Sequence, residues 1–430
     1  MKATTTSRLL ALAIGVAACS DYQRTPAGPD PDPGPHPTTV EVAFCNGAQP
    51  QWVAFQDGDG EWTRAQPVVT GQLAIFLRTF NSDRAAIATA RDFASGLKAV
   101  SIQYGAPAEL ANVGDARPDL CGVVANNTLL GSVAGIDTNE VAVISTGRST
   151  REATTVAEGS TFTLRQVSGP EELLATRLTR VDQNVFLTGI ILRRGPELPD
   201  GATIPLLDFD SDEVIHPVER PLTLAGFGPD GAVTRNGVRT AHSENTVIFG
   251  NPSVTDAHRP YYAIPENRLE PGDVQFINAS TNISATSNVA RTAITYFRAP
   301  VARTITFPEP PHAPAVNVVA TAPTIRLRAH FDSQAAYDRQ TGVSFQDLQN
   351  TVVAVSMTPA YAALNANGYD LVVPELTGVA GFDPRWSLRT GVALLWTSSR
   401  VGGTLGLTPG VVPADGDTRV VGSDAGFITP

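Results

Sequence analysis

A chain of 430 residues with a formal net charge of -11 and only 31 Lys and Arg side chains lacks the clustered basic surface that phosphate neutralisation needs, so nucleic acid is not an expected partner. Its 42% hydrophobic content and mean hydropathy of -0.03 describe a globular chain, long enough for about two to four domains, and 37 Gly with 33 Pro point to frequent turns rather than long helices. After the N-terminus no stretch approaches the roughly 18 consecutive apolar residues of a membrane-spanning helix.

Residues 1–18 read as a cleavable export signal: Lys2 and Arg8 make a basic start, Leu9 to Ala18 form a short apolar run, and small residues precede Cys19. Val16-Ala17-Ala18-Cys19 resembles the lipobox of bacterial lipoproteins. The resemblance implies a diacylglyceryl group on the Cys19 sulfur, cleavage just before it, and, with Ser20 next, transfer to the outer membrane. Each buried methylene contributes roughly 0.8 kcal/mol, so two or three acyl chains hold a protein to a bilayer without a spanning helix. An ordinary secretory signal with a coincidental Cys is the alternative. If Cys19 is lipidated, Cys45 and Cys121 are the remaining thiols, and an exported chain allows them one pairing. The expected disulfide would contribute about 4 kcal/mol by the chain-entropy argument; two buried free thiols are the other reading.

Residues 19–39 hold Pro at 26, 29, 31, 33, 35 and 37, which favours extended polyproline II and reads as a semi-rigid spacer. From there to residue 122 short β-branched and aromatic runs at 39–44, 51–55, 61–65, 72–80 and 97–104 predict an N-terminal β domain (40–122), with a short helix near 107–112. The QDGDG stretch at 56–60 predicts a hairpin turn that puts Trp52 and Trp62 on adjacent strands.

The segment 123–218 carries Leu130-Gly131-Ser132-Val133-Ala134-Gly135, VAVIS at 141–145, Gly159-Ser160-Thr161-Phe162-Thr163-Leu164, Val167, Gly169, Leu173 and Ala175. Over about 50 residues this is similar to the carboxypeptidase regulatory-like domain, which implies a seven-stranded, transthyretin-like sandwich without catalytic residues. Read without the family, alternating strands and Gly turns still predict a sandwich. Strands at PLTLAGF, NTVIFG, DVQFINAS and ARTAITYF predict a β domain over 219–314 that ends at the PEPPHAP break. A C-terminal β-sandwich over 315–430 follows from strands at 322–331, 350–357, 369–376 and 391–399. One helix is expected there, with Thr358 as N-cap, Pro359 at the first helical position and Gly368 past the end. The fold class is therefore all-β, with several sandwich-like domains on a Pro-rich stalk.

Chemistry-bearing patterns are few. Asp208, Asp210, Asp212 and Glu219 stand at positions 1, 3, 5 and 12 of a stretch that resembles an EF-hand loop, and carboxylate oxygens suit Ca²⁺. Glu213 occupies the place of the turn glycine and both flanks read as strands, so a solvated acidic loop is the alternative to a structural Ca²⁺ site, the one cofactor suggested. Gly226-Phe-Gly228-Pro-Asp-Gly231 matches GxGxxG but precedes a strand pattern, which makes it a turn. GxSxG, HExxH and GxxxxGK are missing, the six histidines are scattered, and His242-Ser243-Glu244 alternate sides of a strand. Trp52 and Trp62 are candidate stacking faces for a sugar ring, against a core-packing alternative. The expectation is an outer-membrane-anchored, non-catalytic protein that binds a protein or glycan ligand or serves as a structural envelope component. A glycan-binding surface protein and a hydrolase built from inter-domain loops are the alternatives.

Overall fold

The computed structural model turns this Gly- and Pro-punctuated, β-branched sequence into an all-β protein, with 55% of residues in strands and 6% in helices. It describes residues 37–45, 49–69, 73–110, 126–146, 149–157, 159–167, 172–181, 184–195, 199–228, 231–240, 247–249, 258–281, 288–347, 350–362, 368–406 and 411–430. The span Pro37–Pro430 is one compact unit.

The first segment supplies β1 (Thr38–Cys45), β2 (Trp52–Asp57), β3 (Thr63–Arg64), β4 (Leu73–Phe80), β5 (Ala85–Asp92), β6 (Lys98–Gly105) and the single turn α1 (Pro107–Leu110). The second supplies β7 (Asn126–Ala134), β8 (Glu140–Thr146), β9 (Ser149–Val156), β10 (Thr161–Val167), β11 (Leu173–Val181), β12 (Asn184–Arg193) and β13 (Leu207–Asp208). Then come β14 (Val218–Ala225), β15 (Ala232–Arg239), β16 (Val247–Phe249), β17 (His258–Ala263), β18 (Val274–Thr281), β19 (Ala290–Phe297) and β20 (Arg303–Thr306). The last segment holds β21 (Ala315–Ala320), β22 (Arg326–Phe331), β23 (Gln340–Asp347), β24 (Thr351–Met357), α2 (Pro359–Ala362), β25 (Tyr369–Val372), β26 (Leu394–Gly402) and β27 (Thr418–Ile428).

A twelve-stranded sheet, in the order β16-β15-β18-β19-β27-β26-β23-β24-β6-β5-β2-β3, organises the unit. Its strands come from three of the four segments expected as separate domains, so 40–122, 219–314 and 315–430 share one sheet. The join is the parallel pairing of β24 with β6, Thr351 opposite Lys98 through Met357 opposite Tyr104. Thr358 seals it: its hydroxyl donates to Glu109 Oε2 at 2.5 Å, a partner 249 residues away, and its N–H to the Tyr104 carbonyl. The helix does begin at Pro359, as its fixed φ favours, but the Thr358 side chain serves Glu109, and the first turn closes on the Thr358 carbonyl.

The alternation of β23 and β24 explains which side is covered. Val343, Phe345, Val353 and Val355 are buried against Leu327, Ala329 and Leu371 of the small β21-β22-β25 sheet, each large side chain contributing roughly 1.5–3 kcal/mol by leaving water. The β17-β14-β20 sheet covers the same side over β15, β18 and β19, burying Leu222, Tyr261, Ile277 and Phe297. On the opposite side the β1-β4 pair covers β2 and β5 through Val42, Phe44, Phe55 and Ile87. Strand β27 went unread in the sequence because Gly422 and Gly426 interrupt its pattern. A Cβ at either would lie 2.8 Å from the Tyr337 ring or 2.5 Å from the Trp396 ring, so close aromatic packing requires the glycines.

Residues 126–215 keep a core of their own. Sheets β10-β7-β13 and β12-β11-β8-β9 enclose Leu129, Ile144, Phe162, Leu173, Ile191 and Phe209. Leu174, Ile190 and Ile215 then dock this sandwich onto Val238, Tyr262 and Ile264 of the following segment.

Candidate functional site

The acidic loop follows the two-residue strand β13. Phe209 and Val214 turn into the sandwich core, which leaves Asp210 and Asp212 outside. Asp208 spends its carboxylate on the loop itself, accepting the Asp210 N–H at 3.0 Å, while the Ser211 hydroxyl donates to its carbonyl at 2.7 Å. Glu213 takes a fork of two bonds from Arg193, at 2.7 and 2.8 Å. Glu219 lies on β14 opposite Tyr262. The four carboxylates read from the sequence are therefore not gathered, and among the described residues no group of three or more His, Cys, Asp or Glu side chains is placed to hold a metal ion.

Next to this loop a cleft of about 610 Å³ opens, lined by Gly135, Asp137, Thr138, Glu140, Arg177 and Asp210. Its charged groups are locked together. Arg177 donates to the Gly135 carbonyl at 3.0 Å and to the Thr188 hydroxyl at 3.2 Å, and lies 3.7 Å from Glu140 and 3.8 Å from Asp210. Burial opposes ionisation of Glu140, but hydrogen bonds from Thr179 and the Asp137 N–H, with Arg177 beside it, hold its carboxyl below the usual range. A carboxylate so engaged is a poor general base.

The tryptophan pair separates. The hairpin forms, with Ala54 opposite Arg64 and Phe55 opposite Thr63, but its second strand is only Thr63–Arg64 and Trp62 lies just before it. Trp52, however, is 1% exposed, its indole N–H donates to the Ala380 carbonyl at 3.2 Å, and Phe382 meets its ring edge-on at 5.1 Å. It offers no face to a sugar, and that expectation is corrected: strand β2 is covered on both sides, so its Trp packs inward. Trp62 is half-buried against Tyr104, which in turn contacts Tyr361, over whose ring Arg84 lies. Trp386 is likewise core, donating to Asp92 at 2.8 Å.

One constellation escaped the sequence reading. His330 on β22 sits opposite Asp370 on β25, Nδ1 to Oδ1 at 2.9 Å, and Arg328 grips the same carboxylate at 2.8 and 2.6 Å. The residues lie 40 apart, and only strand pairing brings them together. Gly226, Gly228 and Gly231 all take positive φ between β14 and β15, which suits a strand-to-strand link. Cys45 ends β1. Cys19, Cys121 and the His242-Ser243-Glu244 triplet lie outside the described residues. No family model matches this chain, and no curated protein matches it.

Proposed function

We propose that the chain is a lipid-anchored protein of the bacterial outer membrane, held by Cys19 and spaced off the bilayer by its Pro-rich stretch, whose β unit binds a ligand or partner and is not an enzyme. One observation carries this reading: the compact β unit begins at Pro37, where the Pro-rich stretch behind the lipobox ends. A disulfide between Cys45 and Cys121 belongs to the proposal, with Cys45 placed at the end of β1. So does a carboxypeptidase regulatory-like origin for 123–218, supported by its three- and four-stranded sheets. No helix among the described residues is long and apolar enough to cross a membrane.

The test is metabolic labelling with a radioactive fatty acid, followed by protease shaving of intact and permeabilised cells. Label on the wild-type chain that disappears in Cys19→Ala is expected, with the β unit fractionating in the outer membrane. An unlabelled chain recovered in the medium refutes the anchor. Labelling by a covalent hydrolase probe refutes the non-catalytic part.

A further inference from the structure

Among the described residues, no second sheet covers the far side of the twelve-stranded sheet where the β1-β4 pair stops. Register aligns the outward residues of β27, β26, β23, β24 and β6 into three rows of five. One row runs Ser423, Ser399, Gly342, Ser356, Gln103, and the next Ala425, Thr397, Ser344, Ala354, Ser101. The third runs Phe427, Leu395, Gln346, Val352, Ala99. None of these side chains is buried and none carries a charge, on a chain whose net charge is -11. Gln103, Gln346, Ser356 and Ser399 make no side-chain hydrogen bond among the described residues. At about 4.8 Å between strands and 3.4 Å per residue, the face measures roughly 24 by 17 Å, or about 400 Å².

Those dimensions and that chemistry select the occupant. A stable protein interface covers about 800 Å² per partner, twice this area, and has an apolar or aromatic centre from which Ser and Ala are depleted. Here the middle row is Ser, Thr and Ala. A charged polymer would leave its charges desolvated and unpaired against such a surface. A neutral polyhydroxylated chain would not, because the hydroxyl and amide groups offer donors and acceptors to ring hydroxyls. Aromatic surface waits at both ends of the third row. Phe427 is 73% exposed at one end, and at the other Ala99 pairs with Arg91, whose guanidinium lies over Phe93, itself 40% exposed. Such rings gain dispersion contact against the C–H face of a sugar. From this we infer that the open face binds a neutral polysaccharide laid across the strands. The inference rests on the binding reading above and names its ligand class.

The full-length protein in detergent, carrying its fatty-acid label, is sedimented with insoluble cellulose, starch and agarose, and with calcium alginate as the acidic comparator. Retention on at least one neutral matrix and none on alginate is expected. Ser344→Glu combined with Thr397→Glu lowers retention at least tenfold and Phe427→Ala severalfold, while Thr63→Glu, on exposed β3, leaves it unchanged. Circular dichroism melting identifies any variant that fails to fold. A folded wild type retained on no neutral matrix overturns the inference, as does equal retention by the double variant. A dimer in sedimentation velocity that the double variant dissolves also overturns it, in favour of a second copy. Labelled protein that binds no matrix sinks the glycan ligand alone; unlabelled protein that binds sinks the anchor alone.

Discussion

Arg194 is the cation on which the join between the 126–215 sandwich and the large sheet turns. It follows β12 and forks onto Asp273, Nη1 to Oδ1 at 3.1 Å and Nη2 to Oδ2 at 2.5 Å, with Glu270 at 3.0 Å and Glu172 at 3.9 Å. Its side chain is 18% exposed, whereas Asp273 and Glu172 are at 0% and 1%. Arg194→Ala removes the guanidinium that three carboxylates share, two of them out of water. Taking one partner from a buried pair costs about 3–5 kcal/mol, most of it from the charge left behind. For a unit of this size that lowers Tm by roughly 4–6 °C. Urea unfolding followed by far-ultraviolet circular dichroism and by tryptophan fluorescence measures it. The four tryptophans, at 52, 62, 386 and 396, all lie outside the sandwich, so the two signals also report whether it separates from the large sheet. Asp273→Asn, which keeps the shape and lowers the charge, should be milder. A loss below about 1 kcal/mol, the value of an exposed ion pair, would refute the reasoning.

Three further outcomes follow from the geometry. Trp52→Ala opens a cavity in the shared core and should cost about 3–5 kcal/mol in urea unfolding, because the ring is enclosed; a neutral result would place that ring at the surface. Acid should destabilise the protein through carboxylates held below the usual range: Asp370 by the Arg328 fork and His330, Glu140 and Glu375 by hydrogen bonds that outweigh burial. Because their folded pKa values are depressed, the stabilisation is complete above the unfolded value of about 4 and is lost as pH falls through the folded ones. Tm should thus be flat above about pH 5 and drop below 4, with a shallower drop in Asp370→Asn; an equally steep variant contradicts the assignment. Millimolar calcium should move Tm by less than about 1 °C, since Asp208 is spent on its own turn and Asp210 faces Arg177. A larger shift that Asp210→Asn abolishes would show that the loop closes around the ion.

Arginine does most of the cationic structural work here, with Lys98 the one lysine after residue 18. Arg291, which is 9% exposed, donates to the carbonyls of Gly226, Phe227 and Pro308 and lies over the Phe307 ring. A planar fork satisfies several turn carbonyls at once, which a lysine ammonium on a flexible stem does less well.

By itself the sequence determined what depends on neighbours along the chain. The 2-residue alternation of β24, the positive-φ glycine that turns β2 into β3 and the Pro359 helix start were all legible, because strand period, turn and proline geometry are local. The all-β class follows from the same signals. Tertiary structure decided what depends on pairing between distant segments. It placed β27, glycines included, between β19 and β26, and it joined β24 to β6 in parallel. It drew Trp52 inside and set His330 against Asp370. The uncharged face is the clearest case: each strand contributes a few ordinary Ser, Gln and Ala residues, and only lateral register, which no single stretch encodes, lines them up into a surface.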